Sequence, residues 1–287
     1  MTIKKIKKRY AIHFFKLSLQ LILCLSLLGA VSCSKDDPVN EPESHEFLAK
    51  KKKTPVPYDK FSGALNKAKL QGPGSGIVKK KVKKGKKDVW VNVEKGNFKG
   101  YKSDKFYMAG NQMYFKSPKN SKKRTELRRL GDYEASASIT STGNLKVHST
   151  SHKEFTVMQL HHSVKNSPLL KIEYKAKKNS KGKYVTGGFY AVNRNKPGAS
   201  TSGRTKLLKG GSSAKFQIRY RPYTHTKKNG SKEARAKVSV VVNNDSKNSI
   251  AIADIKQSDW GKGFYLKAGA YNQQSGEAKV SFSSLNW

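Results

Sequence analysis

From Val89 to Trp287 the chain repeats one pattern: short runs rich in Val, Ile, Phe, Tyr and Trp, many alternating apolar with polar residues, closed by Gly, Asn, Ser or Lys. Period-two alternation over such lengths is a strand signal, and few windows carry a helical period. Runs of this kind begin at Val89, Phe106, Asn144, Phe155, Leu169, Lys183, Lys215, Ala236, Ser249, Gly263 and Ala278. That many short strands predict an all-β fold of antiparallel strands. A β-sandwich of the jelly-roll kind is its natural closed form. No internal repeat of fixed period interrupts the pattern, and about 230 residues can bury an ordinary core as a single domain.

The N-terminus follows a different logic. MTIKKIKKRYAIHFFK is basic, and LSLQLILCLSLLGAVSC is apolar and ends in small residues before Cys33, the layout of an export signal. A plain cleaved signal peptide or a membrane anchor shares that layout. The Ala30-Val31-Ser32-Cys33 ending resembles a bacterial lipoprotein lipobox, with Ala30 where leucine is usual, and implies lipidation at Cys33. SKDDPVNEPESHE, which follows, has the acidic, proline-bearing composition of a flexible tether. Its Ser-Lys-Asp-Asp start resembles the surface-export signal of Bacteroidetes lipoproteins. The expectation is a lipoprotein signal peptide over 1–33, a tether over 34–54 and a β-jelly-roll domain over 55–287. Such a protein would be an outer membrane lipoprotein exposed at the cell surface and held to the membrane by its lipid anchor only. Cys24 and Cys33 are the only cysteines, so the expected domain has neither an intrachain disulfide nor a cysteine metal site.

Charge narrows the partners. The chain has 59 Lys and Arg against 19 Asp and Glu; without residues 1–33 it keeps 53 against 19, a net charge of +34. A domain so cationic attracts polyanions. Nucleic acid, anionic lipid and acidic polysaccharide all satisfy that condition, and an extracytoplasmic location favours the polysaccharide. Residues 50–87 are especially lysine-rich: KKKKTPVP reads as linker, and GPGSGIVKKKVKKGKK as a loop or strongly basic edge. A solvated, self-repelling surface is the usual meaning of such runs.

Three segments carry polar residues on one strand face. In RTELR (124–128), Arg124, Glu126 and Arg128 share a face, and a glutamate so placed can hold both guanidinium groups by bidentate pairing. In FTVMQLHH, Gln159 and His161 share a face opposite Met158, Leu160 and His162. In YLKAGAYNQ (265–273), Tyr265, Lys267, Gly269, Tyr271 and Gln273 alternate with Leu266, Ala268, Ala270 and Asn272. Each alone suits an ordinary half-buried strand, a surface salt-bridge ladder or a histidine at a sheet edge.

In this order, the three resemble the RxELR, Gln-x-His and YxKAGxYxQ strands of polysaccharide lyase family 7, the jelly-roll alginate lyases. With FYMAGNQMYFKSP upstream, the resemblance spans roughly residues 55–287. It implies an alginate lyase that cleaves 4-linked polyuronate by β-elimination, leaving unsaturated uronate ends. Arg124 and Gln159 match the positions that grip the carboxylate beside the C-5 proton. His161 and Tyr271 match the proton-transfer positions: Tyr271 protonates the leaving O-4, and either residue abstracts the C-5 proton, depending on the sugar's stereochemistry. Arg128, Tyr265, Lys267 and Gln273 match sugar-binding positions. Glu126 would be a scaffold for the arginines, and Gly269 would leave room for the polymer.

The sequence departs from the family pattern twice. Leu160 stands where isoleucine or valine is usual, which leaves mannuronate or guluronate preference open. Arg129 stands where many members have an acidic residue, which keeps another acidic polysaccharide open as substrate. The elimination needs no cofactor and no metal. His148, His152 and His225 have no company and receive no role, and the chain has no phosphate loop or Gly-x-Ser-x-Gly elbow. The resulting expectation is a monomeric enzyme acting on an anionic polysaccharide, alginate first, with no specific nucleic acid partner. A glucuronan or sulfated-uronate lyase, or a non-catalytic glycan-binding protein on the same fold, are the competing readings.

Overall fold

The computed structural model describes residues 54–120, 122–163, 167–245, 247 and 249–287. The predicted signal peptide, Cys33 and nearly all of the predicted tether therefore lie outside the described residues.

Two seven-stranded antiparallel sheets form the sandwich. Across the first run β1 (Ala68–Gln71), β6 (Arg124–Arg129), β15 (Phe264–Asn272), β8 (Glu154–His162), β9 (Ser167–Lys178), β10 (Tyr184–Asn193) and β11 (Gly203–Leu208). The second comprises β14 (Ser249–Lys256), β13 (Lys232–Val242), β12 (Ser213–Thr226), β7 (Ile139–Val147), β16 (Lys279–Asn286), β5 (Gln112–Lys116) and β4 (Phe106–Ala109). A separate two-stranded ribbon pairs β2 (Lys79–Lys84) with β3 (Lys87–Asn92). This is the all-β, antiparallel jelly-roll architecture that the alternation predicts.

The inward faces interlock through aromatic side chains. Phe189 of the first sheet meets Phe216 of the second edge-on at 5.0 Å, and Tyr220 meets Phe264 across the sandwich at 5.2 Å. Tyr220 is wholly buried, and its hydroxyl donates to the Ala135 carbonyl at 2.6 Å, so its polar end is satisfied. Full burial of one such ring stabilises the fold by about 2–3 kcal/mol.

Several elements escape the sequence pattern. Helix α1 (Pro57–Leu65) starts with Pro57 in its first turn, and Asp59 caps it by accepting from the Val56 amide at 2.9 Å. Phe61, Ala64 and Leu65 bury its inner side. The run at 106–116 is two strands, β4 and β5, paired from Phe106↔Phe115 to Ala109↔Gln112. The basic stretch expected to be a loop or edge contains a strand, β2.

Candidate active site

Strands β6, β15 and β8 are adjacent in the first sheet, and together with Gln273 just beyond β15 they supply all eight predicted site residues. Register does the assembly. Tyr271 lies opposite Arg124 and Lys267 opposite Arg128 on one side of β15; Lys267 pairs with Gln159 and Tyr265 with His161 on the other. Residues from three distant parts of the chain thus become cross-strand neighbours.

Local geometry keeps their side chains on one face. Between Ala268 and Tyr271 the pairing of β15 with β8 shifts, a β-bulge, and Gly269 adopts φ +145°. A Cβ at Gly269 would come within 2.4 Å of the Thr125 carbonyl oxygen and 3.1 Å of the Phe115 ring. Backbone conformation and close packing against β6 therefore require this glycine, not room for the polymer as the sequence suggests. Beyond the bulge, Tyr271 stays on the site face while Ala268 and Ala270 remain in the core.

Glu126, only 1% exposed, is the hub. It pairs with Arg124 at 3.4 Å and Lys267 at 3.7 Å, and it accepts from Gln159 Nε2 at 2.6 Å. The expected pairing with both arginines is only half realised. Arg128 turns instead to Asp132 at 3.3 Å, because the chain curls back after β6 and presents a carboxylate four residues on. The arginines also lie over tyrosine rings, Arg124 over Tyr271 at 4.1 Å and Arg128 over Tyr265 at 3.9 Å. Such stacking fixes both partners of each pair.

Burial without matching negative charge sets the proton affinities. The His161 ring stacks on Tyr265 at 4.9 Å and is pushed down to about 3, first by burial and then by the Lys267 ammonium. Its Nδ1–H donates to the His162 carbonyl at 3.0 Å, which leaves Nε2 as the ring's acceptor. Burial also lowers Lys267 to about 8, against the pull of Glu126, and raises Tyr265 to about 12. With Lys267 protonated, Arg124, Arg128 and Lys267 against Glu126 and Asp132 leave the cluster with one unneutralised positive charge. Gln273 Nε2 donates to the Thr156 hydroxyl at 3.1 Å, extending the polar face along β8.

The two departures from the family motifs both point away from this cluster. Leu160 is fully buried in the core, so it touches the site only through its neighbours Gln159 and His161. Arg129 donates to the Leu130 and Gly131 carbonyls at 2.9 and 2.6 Å and lies over Tyr133 at 4.1 Å, locking the turn after β6.

A second polar cluster on the same sheet is absent from the sequence reading. Glu173 of β9, fully buried, contacts Lys171 and Arg204, and Arg204 of β11 also pairs with Glu154 at 3.1 Å. Burial raises Glu173, while Lys171 and Arg204 oppose that shift. Alternating Lys171, Glu173 and Lys175 in LLKIEYKAK is a legible signal; the partner on β11 is not, because GRTKLLKGG reads as turn. A concavity of about 550 Å³ near His152 and Gly276 contains none of the eight residues. His152 there bonds the Gly276 carbonyl and His148 bonds Ser281, both structural contacts.

The alginate lyase family profile matches residues 65–287. Among solved structures, alginate lyase AlyC3 is similar over 80% of this chain and 92% of its own, with 20% identity and a TM-score of 0.57. Its complex with dimannuronate gives 19% identity over 80% and 91%, with a TM-score of 0.56. The exolytic alginate lyase AlyA5 from Zobellia galactanivorans gives 12% identity over 80% and 96%, with a TM-score of 0.52. A search of curated proteins finds no match. At these identities the structures speak for the fold, whereas the family profile spans nearly the whole described domain: the chain belongs to the alginate lyase family, the group that its three strand motifs identify as polysaccharide lyase family 7.

Proposed function

We propose that the protein cleaves alginate by β-elimination on the face of β6, β15 and β8. The observation that carries this reading is the convergence of a neutral histidine, a tyrosine and a net excess of positive charge on one buried patch. Removing the C-5 proton of a uronate places negative charge on the neighbouring carboxylate as the enolate-like intermediate forms. Preorganised cations and donors aimed there lower that barrier. Arg124 supplies the cation. Gln159, one amide hydrogen spent on Glu126, keeps the other for the substrate.

Proton transfer follows from the same geometry. His161 is in its free-base form throughout the neutral range, with Nε2 available to accept. Tyr271, held against the Arg124 guanidinium, protonates O-4 as the glycosidic bond breaks, or also takes the C-5 proton when the sugar presents it on that side. Arg128, Tyr265, Lys267 and Gln273 hold flanking sugars. Glu126 positions Arg124, Gln159 and Lys267 and takes no proton itself.

The test is the ultraviolet absorbance of the conjugated unsaturated uronate, using protein lacking residues 1–33. Polymannuronate, polyguluronate, glucuronan and a sulfated uronate polymer would be supplied in parallel. A rise on alginate blocks that Tyr271→Phe abolishes is the expected result. A rise only on another polymer, or binding to alginate without any rise, would overturn the assignment. The Ala30–Cys33 ending and the Ser-Lys-Asp-Asp after it support a further part of this reading, lipidation at Cys33 and display at the cell surface, and the proposed enzyme acts as a monomer. An unmodified mature N-terminus beyond Cys33 by mass spectrometry would remove the anchor, and a dimer mass by light scattering would remove the monomer.

A further inference from the structure

The β2–β3 ribbon belongs to neither large sheet, yet its root is tied to the site. Leu70 of β1 donates to the Val93 carbonyl at 2.8 Å and accepts from the Val78 amide at 2.9 Å, and Val93 donates to Val78 at 2.7 Å. The other side of β1 pairs with β6, the strand of Arg124, Glu126 and Arg128. The ribbon is thus an outgrowth of the sheet edge beside the candidate active site.

Its two faces differ. Lys81 lies directly opposite Trp90, Lys79 opposite Asn92 and Lys83 opposite Asp88. Period-two alternation puts these pairs on one face and Lys80, Val82, Val89 and Val91 on the other. The second set is partly covered, with Lys80 turned to the Lys99 carbonyl at 3.0 Å. On the first, Lys79, Lys81, Lys83, Asp88 and Trp90 are exposed. Trp90, 64% exposed, is the one large apolar side chain so exposed among the described residues. Asp88 neutralises only Lys81, at 3.3 Å.

Nothing in the ribbon's own stability explains this composition. Lysine is a poor strand former, and Lys84 and Lys87 face each other as like charges at the turn. An indole flanked by amines spaced about 7 Å apart along a strand fits a different purpose. The flat ring can stack on the C–H face of a pyranose, while the ammonium groups meet carboxylates repeated along a chain. We propose that the exposed face of the ribbon, Trp90 with Lys79 and Lys83, is a second binding site for an anionic polysaccharide, holding a stretch of polymer outside the catalytic cleft. This rests on the reading of the protein as a polyuronate lyase, because the occupant is the substrate's own chain continued past the edge strand β1.

The test uses the described domain with its ribbon intact. Trp90→Ser and the double variant Lys79→Ser/Lys83→Ser replace exposed side chains. Each would be compared with wild type on long alginate, on an alginate trisaccharide, and by retardation in gels cast with alginate. Expected results are a KM on long polymer raised roughly tenfold, an unchanged kcat, unchanged kinetics on the trisaccharide and weakened retardation for both variants. Unchanged retardation and unchanged polymer KM in both variants would overturn the proposal. So would a loss in Trp90→Ser that is equally large on double-stranded DNA or phosphatidylglycerol vesicles, because the ribbon would then be a general polyanion or lipid-facing patch. Retardation requires no turnover. A wild type that fails to cleave any uronate but loses retardation on mutation therefore separates failure of the lyase reading from failure of this one.

Discussion

Each large sheet holds one glutamate gripped by three nitrogen-bearing side chains, and the two sites behave differently. In the first sheet, Glu126 gathers Arg124, Lys267 and Gln159 while 1% exposed. On the second, Glu233 gathers Arg235, Lys227 and Lys256, its two lysines reaching well into solvent. Arg235 and the two lysines hold Glu233 down to about 2. Water can replace any of those partners at little cost. Around Glu126 water is excluded, so each charge must be matched, and any charge left over acts at nearly full strength on whatever enters. A motif that decorates one sheet becomes, by burial, a preorganised cationic patch on the other.

Mutations can break that contrast. The largest expected effect is on turnover: Tyr271→Phe should lower kcat about a thousandfold, within the range for loss of a general acid or base. Tyr223→Phe, which removes the equally polar hydroxyl bonded to Asp254 on the second sheet, should leave kcat unchanged. Next is stability. Glu126→Ala strands Arg124 and Lys267 and should cost about 3–5 kcal/mol in urea unfolding, whereas Glu233→Ala should barely move the midpoint. Comparable losses for the two would mean that burial does not distinguish the sites.

Two smaller effects sharpen the comparison through pH. Lys267 loses its proton as pH rises through about 8, removing the cluster's excess positive charge. The KM for alginate should therefore rise across that range, and Lys267→Met should remove the step while starting from a weaker KM. An alkaline limb that persists in Lys267→Met would assign it elsewhere. The smallest effect concerns His161. Above pH 6.5 the ring is neutral in both folded and unfolded chains; below it, only the unfolded chain takes a proton until about pH 3. Its contribution to stability is thus lost as pH falls through that window, at about 1.4 kcal/mol per pH unit. Against a His161→Gln variant, wild type should lose about 2 kcal/mol more between pH 6.5 and 5. Parallel losses would show that the ring is not held neutral.

Most of this was legible because strand alternation reports directly on which face a side chain occupies. Arg124, Gln159, His161 and Tyr271 fall on the face that period two assigns them, and Leu160 and His162 fall in the core. What escaped depended on distance or on breaks in the period. Arg204 and Glu173 meet across β10, a strand order that alternation within one segment does not report. Asp132 reaches Arg128 from outside the strand, where alternation says nothing. Gly269 looks like a gap for substrate from sequence because its bulge is invisible there. Strands β1 and β11 are short and take their conformation from neighbours, so propensity alone does not reveal them.

The order of strands across the sandwich also governs how it can be made. β15 lies between β6 and β8, and β16 between β7 and β5, so the segment from Phe264 to Asn286 fills an interior slot in both sheets. Until that segment arrives, β6 and β8 present bare edges, and the partners of Arg124 and Gln159 on β15 are missing. Closing loops of more than a hundred residues is slow, which places this step late in folding. A nascent chain stalled before Phe264 would therefore be both inactive and sticky, and final insertion of these two strands, one into each sheet, would switch on catalysis and solubility together.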